Sequence, residues 1–190
     1  MAGKFNLNSI RARLLQPPTE SNSGLPVAAV AVIINPNIEG TSFLLIRRSE
    51  RANDPWSGQI AFPGGRKSST DRSLQETAIR ETEEEVGIRL NDHAFLGQLP
   101  IVTARTRRMR VLPTVFELTS PVSIRINAEV SEAFWVPSSE LEKLEIQNRE
   151  VRVEGGTLTV PSYEYNGRVI WGLTFRILNI LLDRVTPDNV

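Results

Sequence analysis

Val27 to Ile34 is an unbroken run of small and β-branched apolar residues. A run with no polar alternation is what a strand covered on both faces requires, so it predicts a buried central strand. Pro36-Asn37 closes it, and Ser42 to Ile46 supplies a second strand. The pattern then changes period. Residues 70–86 read as a helix, with Gly87 where a helix-ending glycine belongs. Phe95 to Val102 and Met109 to Leu118 read as strands flanking a basic turn. Ala133 to Val136 is a strand leading into a short helix near Glu140 to Leu144, and Val151 to Val160, interrupted by Gly155-Gly156, is a hairpin. Leu173 to Val185 closes the chain as a helix, with Leu173, Ile177, Ile180, Leu181 and Val185 on one stripe. Near the start, residues 9–15 predict a short helix ended by Pro17-Pro18, and residues 18–25 read as a linker. The expected architecture is α/β, a mixed sheet packed between helices. Residues 1–24 are expected to be an N-terminal helix and linker, and residues 25–190 a single domain.

Composition narrows the function classes. A chain of 190 residues with 40% apolar content can bury a sizeable core. Formal net charge is zero, so nothing draws the whole molecule toward nucleic acid or an acidic membrane; any anion must be held by a local cluster. The chain has no cysteine, which excludes disulfides, thiolate metal sites and a cysteine nucleophile. No apolar stretch reaches the ~18 residues of a membrane span. Residues 1–9 lack the basic-then-apolar pattern of a signal peptide, and Asp188-Asn189-Val190 is no peroxisomal address, so the cytoplasm is the expected location. A small-molecule partner is expected, without nucleic acid or membrane. A homodimer is left open, with residues 1–24 serving as its arm or as a lid.

The candidate chemistry sits on the 70–86 helix. At ~100° per residue, Glu85 lies near +40° and Glu84 near −60° from Glu81, so the three carboxylates share an arc of ~100°. Ile79, Thr82 and Val86 fall on the opposite side and are expected to face the core. Like charges at i,i+4 cost a helix ~0.2–0.5 kcal/mol per pair, and glutamates at a helix C-terminus face the negative pole of its dipole. Divalent cations would offset both penalties, and hard Mg²⁺ prefers oxygen ligands. Taken alone, Glu83-Glu84-Glu85 reads as a solvated face. What changes that reading is the ordered company of Phe62-Pro63-Gly64-Gly65, the helix, Arg80-Glu81 and Gly87-Ile88. A phosphate-loop reading of Gly64-Gly65-Arg66-Lys67-Ser68 fails, because Arg66 and Ala61 stand where that motif needs glycine. His93, the only histidine, rules out a multi-histidine metal site.

This segment resembles the Nudix box, G-x5-E-x7-R-E-U-x-E-E-x-G-U with U apolar, through Gly65, Arg80, Glu81, Glu84, Glu85, Gly87 and Ile88. The resemblance implies a Nudix α/β/α sandwich and hydrolysis of a diphosphate linkage with Mg²⁺ or Mn²⁺. It implies that Glu81, Glu84 and Glu85 bind the metal, that Arg80 orients the carboxylates, and that the backbone at Gly65 lies near the metal. Asp71 stands where the first glutamate of the pattern is expected, with one extra residue before Arg80, and Thr82 replaces an apolar residue. Upstream, Leu44-Leu45-Ile46-Arg47-Arg48-Ser49 and Gly58 to Gly65 resemble the signature of the coenzyme A pyrophosphatase subgroup, as does Ile170 to Thr174. Ile46 and Asn53 depart from that signature. If the subgroup applies, the products are 3′,5′-ADP and 4′-phosphopantetheine. Candidate substrate-binding residues are Arg47, Arg48, Gln59, Phe62, Arg105, Arg107 and Arg108, since phosphates attract guanidinium groups. Trp56 and Phe62 could border an adenine. Two alternatives remain: a Nudix pyrophosphatase for another nucleoside diphosphate derivative such as ADP-ribose or NADH, and a non-catalytic nucleotide-binding module of the same fold.

Overall fold

The computed structural model describes residues 10–11, 14, 27–36, 40–52, 54–104, 109–153 and 156–184. Eight strands join in one mixed sheet. Strand β1 (Val27–Asn35) lies at its centre and is buried along nearly its whole length, as its unbroken apolar run requires. Along one edge it pairs in parallel with β7 (Met109–Glu117), from Val27 opposite Arg110 to Ile34 opposite Glu117. β7 in turn pairs with β5 (Ala94–Gln98) and β6 (Val102–Ala104). The expected single strand over Phe95 to Val102 is thus two. Pro100 lies in the break between them, where a residue without an N–H cannot donate to a ladder.

The other edge of β1 is divided, and this division makes the site. Its far end pairs with β2 (Ser42–Arg48) at Ile34 and Asn35, whereas its first half pairs with the short β4 (Gly64–Arg66). β2 carries β8 (Val130–Pro137) on one side and β3 (Ile60–Ala61) on the other. A second, three-stranded antiparallel sheet runs in the order β11 (Arg168–Trp171), β10 (Gly156–Tyr165), β9 (Gln147–Val153).

Alternate residues of β1 feed two cores, one on each face. Ala29, Ala31 and Ile33 pack with Leu74, Ala78 and Val86 of helix α1 (Leu74–Val86). Val30, Val32 and Ile34 pack with Phe175, Ile177, Leu178 and Leu181, and with Tyr163 and Ile170 of the second sheet. Those four come from helix α3 (Gly172–Leu182). A mixed sheet between helices is therefore present as expected. Of the first predicted helix, Ile10, Arg11 and Leu14 are described; Ile10 is buried in the α3-side core.

Element boundaries moved for identifiable reasons. α1 begins at Leu74 rather than 70, because Ser73 caps it by accepting the Glu76 N–H at 3.1 Å. Ile79 is only partly buried, while Thr82 and Val86 are fully buried as expected. The short helix α2 (Ser138–Leu141) starts directly after Pro137, ahead of the expected Glu140. The hairpin strands of the second sheet extend well beyond Val151 to Val160, and β11 was not anticipated at all. Yet the turn Asn166-Gly167, with φ of 48° and 75°, is the dipeptide that favours a tight hairpin. Among the described residues no helix is long and apolar enough to cross a membrane.

Candidate active site

Where β1 is shared between β2 and β4, a cavity of about 520 Å³ opens. Gly64 forms its turn under tight constraint: φ is +151°, and a Cβ there would stand 2.3 Å from the Ala29 carbonyl oxygen. The Pro63 carbonyl accepts the Ala31 N–H at 2.7 Å, seating the turn on the central strand. Gly65 is needed for a different reason. A Cβ at that position would lie 2.4 Å from the Glu81 carboxyl carbon, so only glycine lets the helix carboxylate approach this backbone.

α1 then presents its acids along a gradient from cavity to solvent. Glu85 is 2% exposed; its Oε2 accepts the Gly64 N–H at 2.8 Å, and Oε1 lies 3.7 Å from Arg48 Nη1. Burial pushes its pKa up to about 7, against the pull of the Gly64 N–H and of Arg48, with Glu81 and Glu129 adding repulsion. Glu81, 17% exposed, is also raised, first by burial and opposed by Arg80. Both line the cavity. Glu84 does not: its side chain is 54% exposed, and its carboxylate faces Arg80 Nη1 at 3.2 Å. Among the described residues no three acidic or imidazole groups converge into a ready-made metal cage. The shared arc expected from helical geometry thus spans the buried Glu85, the partly buried Glu81 and the solvent-facing Glu84.

Arg80 joins these acids. Its Nε and Nη2 donate to Oδ1 and Oδ2 of Asp71, both at 2.9 Å, while Nη1 lies 2.9 Å from Glu81 Oε1. Nη2 also donates to the Arg66 carbonyl at 3.2 Å. Asp71 further accepts the Ser68 N–H and the Thr77 hydroxyl, and the Arg80 guanidinium chiefly holds its carboxyl far below the usual range. The carboxylate that departs from the box spacing is therefore the anchor of Arg80.

The remaining candidates separate clearly. Arg48 lines the cavity, with Nη2 on Asp54 at 3.0 Å, and Gln59 lines it as well. Arg47 is not among the lining residues; it pairs with Glu132 at 3.3 Å. Phe62 lines the cavity but is almost wholly buried in the α3-side core, so it cannot offer a ring face to an adenine. Trp56, partly exposed, keeps that option. Arg105, Arg107 and Arg108 lie outside the described residues. His93 sits at a turn, where its Nδ1 accepts the Thr119 N–H at 3.2 Å.

Sequence reasoning missed Glu129, which lines the cavity from the loop before β8 and pairs with Arg51 at 3.0 Å. Its placement follows from the end of α1. A helix leaves its last carbonyls unbonded; here Val86 O and Glu85 O accept the N–H groups of Arg125 and Asn127. Asn127 Oδ1 then accepts the Glu129 N–H at 2.8 Å. No sequence motif marks this residue.

The NUDIX domain family profile matches residues 24–167. The chain belongs to the Nudix family. Among its Nudix relatives, a Nudix hydrolase NudL of Photorhabdus laumondii is 35% identical over 94% of this chain and 95% of its own. The human mitochondrial coenzyme A diphosphatase NUDT8 is 29% identical over 93% of this chain and 77% of its own. In fold, a MutT/nudix family protein from Enterococcus faecalis superposes with a TM-score of 0.57 at 16% identity, covering 92% of this chain and 66% of the other. A C. elegans Ap4A hydrolase superposes at 0.51 with 22% identity, over 60% and 80%. The Nudix fold is thus an α/β/α sandwich here, and the chain is a Nudix hydrolase, a pyrophosphatase by class. Nudix hydrolases need divalent metal ions. The donor set fits one: every candidate ligand is an oxygen, and the missing Cβ at Gly65 lets the Glu81 carboxylate lie directly against the backbone of the turn. Mg²⁺ binds through one or two carboxylates plus substrate phosphates and keeps several waters, so a complete protein cage is not required.

Proposed function

We propose that this Nudix hydrolase cleaves the diphosphate of coenzyme A or a derivative, yielding 3′,5′-ADP and 4′-phosphopantetheine or its acyl form, with Mg²⁺ or Mn²⁺. The observation that carries the chemistry is the pair Glu81 and Glu85, lining one cavity against the Gly64-Gly65 turn. The substrate is favoured by similarity over nearly the whole chain to a coenzyme A diphosphatase, together with the upstream Leu44 to Ser49 segment.

Glu81, Glu84, Glu85 and the Gly65 backbone are the groups that would hold the metal. Bound there, a divalent ion offsets charge on the phosphoryl oxygens and lowers the pKa of water. Arg80, fixed by Asp71, holds Glu81 against the Gly65 side of the site. Glu85, with Oε2 engaged by Gly64, keeps Oε1 on the Arg48 side of the cavity. Arg48, Arg66 and Arg176 line the cavity and supply cations for substrate phosphates.

The test is incubation with coenzyme A and Mg²⁺, with products resolved chromatographically. Release of 3′,5′-ADP and 4′-phosphopantetheine, abolished by a chelator, is expected. Brisk turnover of ADP-ribose or NADH with none of coenzyme A would replace this reading with the other nucleoside diphosphate alternative.

A further inference from the structure

The carboxylate-bearing helix supplies only part of the cavity lining. Another part belongs to the second sheet and the residues that follow it: Leu158, Thr159, Val160 and Pro161 of β10, then Trp171 and Leu173. The part that β10 and β11 supply is mostly apolar and carries no charge; beyond it, Arg176 of α3 is the one charged residue that follows. Within it, Leu158 is 45% exposed, one of only four large hydrophobic side chains left exposed among the described residues. The other three, Phe95, Ile126 and Ile146, do not line the cavity. Leu158 sits opposite Val151 in the β9–β10 ladder, so its position is set by backbone pairing rather than by packing beneath it.

An exposed leucine on a cavity wall gains from being covered, and what covers it must be continuous with whatever the rest of the cavity binds. Because the same cavity contains Glu81, Glu85, Arg48 and Arg66, the occupant is one molecule with a diphosphate and an uncharged, partly apolar extension. Resting on the proposed substrate, we infer that Leu158 is a specificity-determining residue that receives the pantetheine arm, or the acyl group it carries. A second nucleoside, ribose-rich and polar, would leave that leucine poorly matched.

The experiment compares Leu158→Ser with the wild-type enzyme in two readouts: KM and kcat for coenzyme A, and the competitive inhibition constant of 3′,5′-ADP, which lacks the arm. The side chain is already half exposed, so the substitution should not disturb folding; Thr157→Asp, exposed and outside the cavity, serves as the control for the hairpin. Covering half a leucine predicts a KM about fivefold higher. In Leu158→Ser the kcat and the 3′,5′-ADP constant should stay within about twofold, as for any uniform binding loss confined to the arm. An unchanged KM in Leu158→Ser would overturn the inference, as would a parallel rise of both constants. Absence of coenzyme A turnover by the wild-type enzyme would instead remove the substrate reading, and this inference with it.

Discussion

Replacing Asp71 by Asn keeps the shape of the side chain and removes its charge, which isolates what the carboxylate does for Arg80. In the native protein the side chain is 5% exposed and accepts four hydrogen bonds, two of them from Arg80 at 2.9 Å. Hydrogen bonds to charged groups contribute about 1.5–3 kcal/mol each, and Asn loses at least one of the Arg80 pair. Arg80 still keeps Glu81, Glu84 and the Arg66 carbonyl. Its charge is therefore not stranded, and the loss stays below the ~3–5 kcal/mol of an orphaned buried partner. A destabilisation of about 2–3 kcal/mol follows, or a Tm lower by about 4–12 °C at this chain length. The sign of the pH dependence is fixed as well. Arg80 depresses the folded-state pKa of Asp71, so its stabilisation is complete above the ordinary carboxylate range and fades as pH falls through and below it. The stability gap between wild type and variant, measured by unfolding followed with circular dichroism, should hold from pH 8 to about pH 5 and narrow by about 1 kcal/mol by pH 3. Because Asp71 does not line the cavity, kcat should fall through disordered Arg80 and Glu81 with little change in KM. A variant as stable as wild type, or a gap insensitive to pH between 5 and 3, would refute the anchoring role.

Three further outcomes are expected. Glu85→Gln should abolish most activity yet raise the stability of the chelator-treated protein at pH 8 by about 2–3 kcal/mol. Burial raises the native pKa of Glu85 to about 7, so stability present below the ordinary carboxylate range is lost as pH rises through 7, and the neutral variant escapes that loss. Equal melting temperatures at pH 8 would count against it. Gly65→Ala would place a methyl 2.4 Å from the Glu81 carboxyl carbon; kcat should drop on the order of 10²-fold, as for misplaced catalytic groups generally, and an active variant would remove the need for that close approach. Glu129→Gln removes a repulsion felt by both Glu81 and Glu85, so in the chelator-treated protein the titration of Glu85, followed by NMR, should move to lower pH by a few tenths of a unit. A titration that stays or moves upward would contradict this.

The parts of the fold that could be read from the chain are those whose signal is local. The Val27 to Ile34 run declares a buried central strand because both of its faces are apolar, and α1 declares itself through its cap glycine and its spacing. The second sheet is hard to read from the chain because β9 carries Arg149, Glu150 and Arg152 within seven residues and none of its residues is fully buried. Such a strand is held mainly by ladder pairing with its neighbour, and pairing has no signature in one segment considered alone. The Asn166-Gly167 turn was a usable local signal, and reading it would have located β11.

The site divides along the same physical line. Glu81 and Glu85 are one helical turn apart, so spacing alone puts them on one face; it cannot say that the adjacent Glu84 falls on the solvent side, because that depends on where β4 meets the helix. The role of Asp71 is hidden for the same reason: it lies in two hydrogen bonds to Arg80 that only the capped turn before α1 brings about. Glu129 is further removed still. Its presence in the cavity depends on two carbonyls at the end of α1 that need donors, on Arg125 and Asn127 supplying them, and on the Asn127 side chain turning the next residues inward. Each link satisfies a backbone group that would otherwise remain unbonded. Such a chain of obligations positions a carboxylate as firmly as a motif does, yet leaves no repeated spacing behind. Acids that reach a diphosphate site by satisfying the end of its principal helix must therefore be found from hydrogen bonds, not from the box.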